Sequence, residues 1–166
     1  MHKAMAIIIV SDTGPLISLE KITDGYDFIR KLYDKIIIPS AVIKEVAEGG
    51  YSDPLDYLEA YNIEDLIEIK TVQNISNIPD IERLDEGEKE AISLAYQLNL
   101  PLLIEETMGR RIAQSANIHI SGIAGQIMKA YKHKIIKKKE ALYKLEKMFQ
   151  TGRINKKIYN SLTHAL

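Results

Sequence analysis

The chain has 166 residues, of which 46% are hydrophobic, and its formal net charge is −1 at pH 7. This length suits one domain with a substantial core, and the composition excludes an intrinsically disordered chain. The chain has no cysteine, which excludes disulfides, thiol nucleophiles and zinc–thiolate sites. We expect a cytoplasmic protein, because no apolar stretch is long enough to span a bilayer and no signal peptide is recognisable.

The small net charge conceals an uneven distribution of charged residues. Residues 1–83 contain 8 basic and 15 acidic side chains, whereas residues 84–166 contain 14 basic and 8 acidic ones. Such a division is typical of proteins with a face that binds a polyanion. Two ordinary charged surfaces that attract each other explain it equally well.

Short apolar runs alternate with helical patterns along the whole chain. We predict strands, in chain order, at 6–10, 35–38, 66–72, 101–104 and 118–121. We predict helices at 15–22, 28–33, 41–48, 54–61, 84–98, 107–116, 122–132, 138–149 and 155–165, with Ser40 as a cap of the third. This alternation predicts an α/β fold with an open, mostly parallel sheet.

Three acidic residues follow strand-like runs closely. Asp12 comes after the run 6–10, and Glu105 and Glu106 come after the run 101–104. In an open parallel sheet, sites form outside the carboxyl ends of the strands, so these side chains are expected at one edge. The alternative interpretation is structural, because Asp12 can cap a helix and acids near a helix N-terminus interact favourably with its dipole.

Two further acids fall on helix faces that the periodicity predicts to be buried. Apolar residues lie three, four and seven positions after Glu88, and others lie three and four positions before Glu45. The alternatives are a Glu88 side chain that reaches out to solvent and, for Glu45, an ordinary surface acid near a helix end.

Clustered or buried carboxylates are costly unless something compensates their charge. A divalent cation is the simplest compensator, since Mg²⁺ and Mn²⁺ prefer oxygen ligands. We therefore predict a site for Mg²⁺ or Mn²⁺ whose candidate ligands are Asp12, Glu45, Glu88, Glu105 and Glu106. Such ions activate water and stabilise in-line displacement at a phosphodiester.

Basic and hydroxyl side chains near these acids are candidates for binding a substrate. Arg110 and Arg111 follow the second acidic pair within two helical turns, and Thr13 is adjacent to Asp12. For both arginines the alternative is a surface salt bridge or a solvated side chain.

The remaining motifs give weaker indications. The histidines at positions 2, 119, 133 and 164 lack metal-binding spacing, and no phosphate-binding glycine pattern is present. The lysine-rich run 132–139 suits either a nucleic-acid contact or a solvated turn. An apolar stripe suits core packing or, alternatively, a partner surface, and comprises Leu142, Leu145, Met148 and Phe149.

The acidic residues and their flanking sequences resemble the PIN-domain family over roughly residues 6–135. The matching motifs are Ser-Asp-Thr-Gly-Pro-Leu at Asp12, Pro-Ser-Ala-Val-Ile-Lys-Glu-Val at Glu45, Gly-Glu-Lys-Glu-Ala-Ile-Ser-Leu-Ala at Glu88, and Leu-Leu-Ile-Glu-Glu-Thr-Met-Gly-Arg-Arg-Ile-Ala at Glu105 and Glu106. The resemblance implies a PIN-like three-layer fold with a central, mostly parallel sheet flanked by helices. We expect residues 1–135 to form this domain and residues 136–166 to form its C-terminal helical appendage.

The same resemblance implies an activity and partners. PIN-domain proteins are metal-dependent nucleases, and many are the toxin ribonucleases of prokaryotic toxin–antitoxin pairs. The resemblance therefore implies RNA cleavage that depends on Mg²⁺ or Mn²⁺, an antitoxin partner and a homodimer. The catalytic residues would be Asp12, Glu45, Glu88 and Glu106.

One departure from the family pattern leaves a second interpretation open. The fourth region of the family usually carries aspartates, often with a hydroxyl residue on the strand side, whereas here Glu105 and Glu106 follow Ile104. A glutamate is one methylene longer, and Mg²⁺ tolerates geometric error poorly. The alternative is a catalytically degenerate PIN fold that acts as a nucleic-acid-binding or regulatory module. A third interpretation, in which Asp12 accepts a phosphoryl group, would require an acidic pair beside Asp12 and a lysine after a late strand. The sequence shows neither.

Overall fold

The centre of the molecule is a sheet of five parallel strands in the order β3-β2-β1-β4-β5. The computed structural model describes residues 5–166, so His2 lies outside the described residues. The strands are β1 (Ile8–Ser11), β2 (Lys35–Pro39), β3 (Ile67–Lys70), β4 (Leu102–Leu103) and β5 (Ile120–Ser121). This confirms the predicted α/β fold with a central parallel sheet.

Nine α-helices flank the sheet within residues 5–166. They are α1 (Thr13–Lys21), α2 (Gly25–Arg30), α3 (Ser40–Ala47), α4 (Pro54–Ala60), α5 (Glu86–Leu98), α6 (Thr107–Ser115), α7 (Ile123–Lys132), α8 (Lys138–Gln150) and α9 (Lys156–His164), and a short 3₁₀ helix spans Ile81–Arg83. Because crossovers between parallel strands are right-handed, connections that run in opposite directions from β1 place helices on opposite faces. None of these helices is both long and apolar enough to span a bilayer.

The strand order reverses beside β1. The chain runs outward from β1 through β2 to β3, and it then returns to place β4 on the other side of β1. The crevice beyond the carboxyl ends of such a strand pair is where open α/β sheets bind ligands. Asp12 follows β1 directly, and Glu105 and Glu106 follow β4, so the topology brings these three acids to one crevice.

The inner strands are apolar along nearly their whole length. Six of their aliphatic side chains are at most 1% exposed, namely Ile9, Val10, Ile36, Ile38, Leu102 and Leu103. This pattern is expected for parallel strands covered by helices on both faces. Strand β1 starts at Ile8 rather than at residue 6 as predicted, because the Ile7 N–H donates to the Asp34 carboxylate (2.7 Å) before regular pairing with β2 begins.

The start of α3 also differs from its prediction. The N-cap residue is Pro39, and no side chain caps the helix. Ser40 is the first helical residue, and its hydroxyl lies 3.2 Å from the Thr71 hydroxyl instead of bonding to the backbone of α3. The prediction that Ser40 caps this helix is therefore wrong, because its side chain bonds across to the segment after β3.

Helix α8 packs into the core. Ala141, Leu145 and Met148 are fully buried and belong to the main hydrophobic cluster. Phe149 at the edge of this face is 36% exposed and stacks on Tyr159 of α9, with ring centroids 4.9 Å apart. Core packing thus explains the buried part of the apolar stripe, and the partner-surface alternative does not apply to Leu145 or Met148.

Replacing Leu145 with alanine should destabilise the whole chain by about 3 kcal/mol, because it opens a cavity at a fully buried position. Urea unfolding followed by circular dichroism measures this loss. The control is Ile158→Ala on α9, where the side chain is 43% exposed and the change should stay below about 1 kcal/mol. Parent-like stability of the Leu145 variant would show that α8 lies outside the cooperative unit.

Candidate functional site

Asp12 lies where β1 ends, and its side chain is buried. Its backbone N–H donates to the Leu103 carbonyl (3.0 Å), which fixes the residue beside β4, and it is only 4% exposed. Asp12 occupies the N-cap position of α1, yet its carboxylate makes no capping hydrogen bond. Helix capping therefore does not explain why an aspartate occupies this position. The adjacent Thr13 hydroxyl is also buried and has no hydrogen-bond partner.

Burial raises the pKa of Asp12 from 3.8 to about 7. The Thr13 N–H opposes this rise, whereas the negative charges of Asp85, Glu45 and Glu106 add to it. The ionised form of Asp12 is thus unfavourable without a compensating positive charge.

Glu88 lies in the first turn of α5 and shares the crevice with Asp12. Its Oε2 atom is buried and has no hydrogen-bond partner among residues 5–166. Burial, and then Asp85 and Glu106, raise the pKa of Glu88 from 4.5 to about 8. The helix itself is capped by Asp85, whose carboxylate accepts from the Glu88 N–H (2.8 Å). The half-buried position of Glu88 agrees with the orientation that the helical periodicity predicts.

Glu106 caps α6 and lies beside Glu88. Its two oxygens accept from the backbone N–H groups of Met108 (3.0 Å) and Gly109 (2.6 Å). Burial alone would raise the pKa of Glu106, but these two N–H groups hold that pKa below its usual value. The residue is exposed, and its contacts with α6 are those of an acid at a helix N-terminus.

Two helical glycines leave space in which the acids approach each other. A Cβ on Gly109 would lie 3.1 Å from Glu88 Oε2 and 3.3 Å from Glu106 Oε2. A Cβ on Gly87 would lie 3.1 Å from Glu45 Oε1 and 3.6 Å from an oxygen of Asp85. Side chains at these two positions would crowd the carboxylates, so the glycines belong to the architecture of the crevice.

Glu45 reaches this crevice from α3, but it is not buried. The buried face of α3 is formed by Val42, Ile43, Val46 and Ala47. Glu45 lies at the edge of that face and is exposed, and its carboxylate extends towards Gly87. The prediction of a buried Glu45 is therefore wrong, because the spacing to residues 41 and 42 does not locate the centre of the apolar face.

Glu105 turns away from the other acids. Its Oε1 accepts from the Ser18 hydroxyl (2.7 Å) and from the Arg153 guanidinium (3.2 Å), and its Oε2 accepts from the Ile123 N–H (3.0 Å). Both oxygens are thus engaged with α1, α7 and the turn before α9. The sequence analysis did not single out Arg153, which lies far along the chain from Glu105.

The two predicted arginines occupy different positions on α6. Arg110 donates to the Ile104 carbonyl at the end of β4 (2.8 Å), which holds its side chain beside the crevice. Arg111 is exposed, and its charge contributes to the lowered pKa of Glu106. Neither arginine forms a salt bridge within residues 5–166, so the salt-bridge alternative does not apply to them.

The donor atoms of the crevice are those that a hard cation prefers. Asp12, Glu45, Glu88 and Glu106 offer only oxygens, and the described part of the chain pairs none of them in a salt bridge. Across residues 5–166, no group of three or more acidic or histidine side chains is already gathered as a metal site. Within the described residues, the buried Oε2 of Glu88 lacks a hydrogen-bond partner and is an oxygen donor of the type that a divalent cation takes.

Asp85 is a second residue that the sequence analysis undervalued. It is the N-cap of α5, and its charge raises the pKa of both Asp12 and Glu88. Its position three residues before Glu88 is a capping signal that the sequence does contain. No comparable local signal marks Arg153.

The raised pKa values predict that the metal-free protein loses stability as the pH rises. Asp12 and Glu88 bind protons more tightly in the folded chain than in the unfolded chain, so the free energy of unfolding falls between about pH 4 and pH 8. Asp12→Asn removes one of these groups. Above about pH 8 its free energy of unfolding should exceed that of the parent by on the order of 2–4 kcal/mol.

Urea unfolding in EDTA across the same pH range tests this prediction. The advantage of Asp12→Asn should shrink as the pH falls towards 4, and the exposed Glu86→Gln on α5 should follow the parent throughout. A parent whose stability rises across this range would contradict the burial of an uncompensated Asp12.

Comparisons with known proteins place this arrangement in a family. A family model described as DUF3368, a PIN domain, matches residues 8–166. A search of curated proteins found no match. A solved structure, a PilT N-terminus domain protein from the hyperthermophilic archaeon Sulfolobus solfataricus P2, is similar in fold, with a TM-score of 0.53 and 16% sequence identity over 70% of this chain and 87% of that chain. The chain belongs to the PIN-domain family, whose members are generally nucleases.

Proposed function

We propose that this protein is a metal-dependent ribonuclease that cleaves RNA phosphodiester bonds. The observation that carries the proposal is a pair of acids, Asp12 and Glu88, at the crevice between β1 and β4. There the buried Asp12 and the unpartnered oxygen of Glu88 have raised pKa values and no basic partner. Membership of a family of nucleases supports phosphodiester cleavage as the reaction class.

Asp12, Glu45, Glu88 and Glu106 would hold Mg²⁺ or Mn²⁺ in this proposal. When bound, the ion supplies an activated water and stabilises negative charge on the scissile phosphate. Asp85 holds Glu88 in place through the cap of α5 (2.8 Å), and Gly87 and Gly109 keep the space around the carboxylates open.

The RNA backbone would be held by side chains at the rim of the crevice. Arg110, anchored on the Ile104 carbonyl, and the exposed Arg111 present positive charge there. The Thr13 hydroxyl beside Asp12 has an unused hydrogen-bonding capacity that a phosphate oxygen could satisfy. These three residues are the proposed substrate-binding groups.

A catalytically degenerate binding or regulatory module is the second candidate. It is favoured by the engagement of both oxygens of Glu106 in capping α6, and by the absence, among residues 5–166, of an acidic group already gathered around one point. Metal binding separates the two candidates, because only the nuclease requires it.

The partners remain proposals drawn from the family resemblance. We infer an RNA substrate, a cognate antitoxin protein and a homodimer, and we place the protein in the cytoplasm. Co-expression with a short protein encoded in the adjacent reading frame would test for the antitoxin. Light scattering of the purified chain would give its oligomeric state.

Cleavage of labelled RNA is the direct test of the nuclease. The parent should cleave with Mg²⁺ or Mn²⁺ and not with EDTA, and Asp12→Asn and Glu88→Gln should each reduce the rate by more than about 100-fold. Glu86→Gln is the matched control, since Glu86 lies in the same helical turn as Glu88 with its side chain 72% exposed. Absence of cleavage across structured and single-stranded RNAs, with all variants folded, would favour the binding module.

Thermal unfolding with Mn²⁺ tests the metal site without any substrate. Bound Mn²⁺ neutralises Asp12 and Glu88 only in the folded state, so it should stabilise the parent by about 2.7 kcal/mol when its concentration is 100 times the dissociation constant. Asp12→Asn should show little of this stabilisation, whereas Glu86→Gln should show all of it. Unchanged melting of the parent at millimolar Mn²⁺ would count against the nuclease.

A further inference from the structure

Arg153 connects the C-terminal helices to the edge of the candidate site. It lies in the turn between α8 and α9, and its guanidinium donates to three acceptors. Nε donates to the Ser18 hydroxyl (2.9 Å), and one terminal nitrogen donates to the Gly14 carbonyl (3.0 Å) and to Glu105 Oε1 (3.2 Å). One side chain thereby joins three segments that are distant in sequence.

The acceptors of Arg153 adjoin the residues that the proposed metal site uses. Gly14 is two residues after Asp12, and Glu105 immediately precedes Glu106. Glu105 also accepts from the Ser18 hydroxyl (2.7 Å) and from the Ile123 N–H (3.0 Å) at the start of α7. The guanidinium therefore contacts the segments that directly follow β1 and β4.

The burial of this network makes its geometry specific. Ser18 is fully buried, and the side chains of Arg153 and Glu105 are 26% and 18% exposed. The pair is partly shielded from water, so removing Arg153 would leave the Glu105 carboxylate without its charged partner. Of the three salt bridges within residues 5–166, this one alone involves an acid of the β4 segment.

We propose that Arg153 is a positioning residue of the metal site. It fixes Glu105 and the turn after Asp12, so that Asp12 and Glu106 face each other across the crevice at the correct separation. In this arrangement Glu105 accepts hydrogen bonds that hold its segment in place, and it is not a metal ligand. The helices α8 and α9 then support the active site through Arg153 in the turn between them. The inference rests on the proposed function, because it assigns Arg153 a role towards the same metal.

Isothermal titration of Mn²⁺ into purified variants tests the inference without RNA. Arg153→Met should weaken Mn²⁺ binding about tenfold, the size expected for the loss of a residue that orients a ligand. Arg153→Lys, which keeps the charge and part of the hydrogen bonding, should recover most of that affinity. Arg30→Met breaks a more exposed ion pair, with Asp65, and should leave Mn²⁺ affinity within about twofold of the parent.

A double variant separates positioning through Glu105 from a general loss of packing. If Arg153 acts through Glu105, then Arg153→Met combined with Glu105→Gln should weaken Mn²⁺ binding no more than the stronger single change. RNA cleavage by Arg153→Met should fall in kcat with little change in KM, because the residue does not contact substrate in this proposal.

The outcomes distinguish the two proposals. If the parent binds Mn²⁺ and Arg153→Met binds it equally well, with only its melting temperature lowered, Arg153 contributes to stability alone and the inference is overturned. If the parent binds no Mn²⁺, the metal-dependent function itself fails and takes the inference with it. Should Arg153→Met not fold, Glu105→Gln gives the same comparison, and parent-like Mn²⁺ affinity in that variant would overturn the inference.

Discussion

Burial of carboxylates at the crevice beyond the carboxyl ends of β1 and β4 is the constraint on which the rest of this structure depends. Asp12 is held there by a backbone hydrogen bond to Leu103 and is almost fully buried. Glu88 brings a buried oxygen without a partner to the same place. Such groups are costly in a folded chain, and they are retained where a ligand supplies the missing charge.

The surrounding elements hold these charges together without neutralising them. Asp85 caps α5 and Glu106 caps α6, so each helix begins at the crevice with a carboxylate that stabilises its N-terminus. Glycines at positions 87 and 109 leave room between the helices. The same residues therefore serve local helix stability and concentrate negative charge, which links the fold of the helices to the chemistry of the site.

Glu105 and Glu106 are adjacent in sequence but have opposite environments. Glu106 faces Glu88 across Gly109, whereas Glu105 faces Arg153, Ser18 and the start of α7. One member of the pair thus contributes charge to the crevice, and the other ties it to the C-terminal helices. This division explains how a site at the centre of the sheet is coupled to residues near the end of the chain.

The sequence by itself determined the α/β class, the order of strands and helices, and the candidate acids Asp12 and Glu88, because apolar periodicity and strand-end position are local properties. The exposure of Glu45 could not be predicted from the sequence, because the elements that pack against the short helix α3 decide where the centre of its buried face lies. Only the tertiary structure decided the separate contacts of Glu105 and Glu106 and the contacts of Arg153. Those depend on contacts between residues far apart in the chain, which no local pattern encodes.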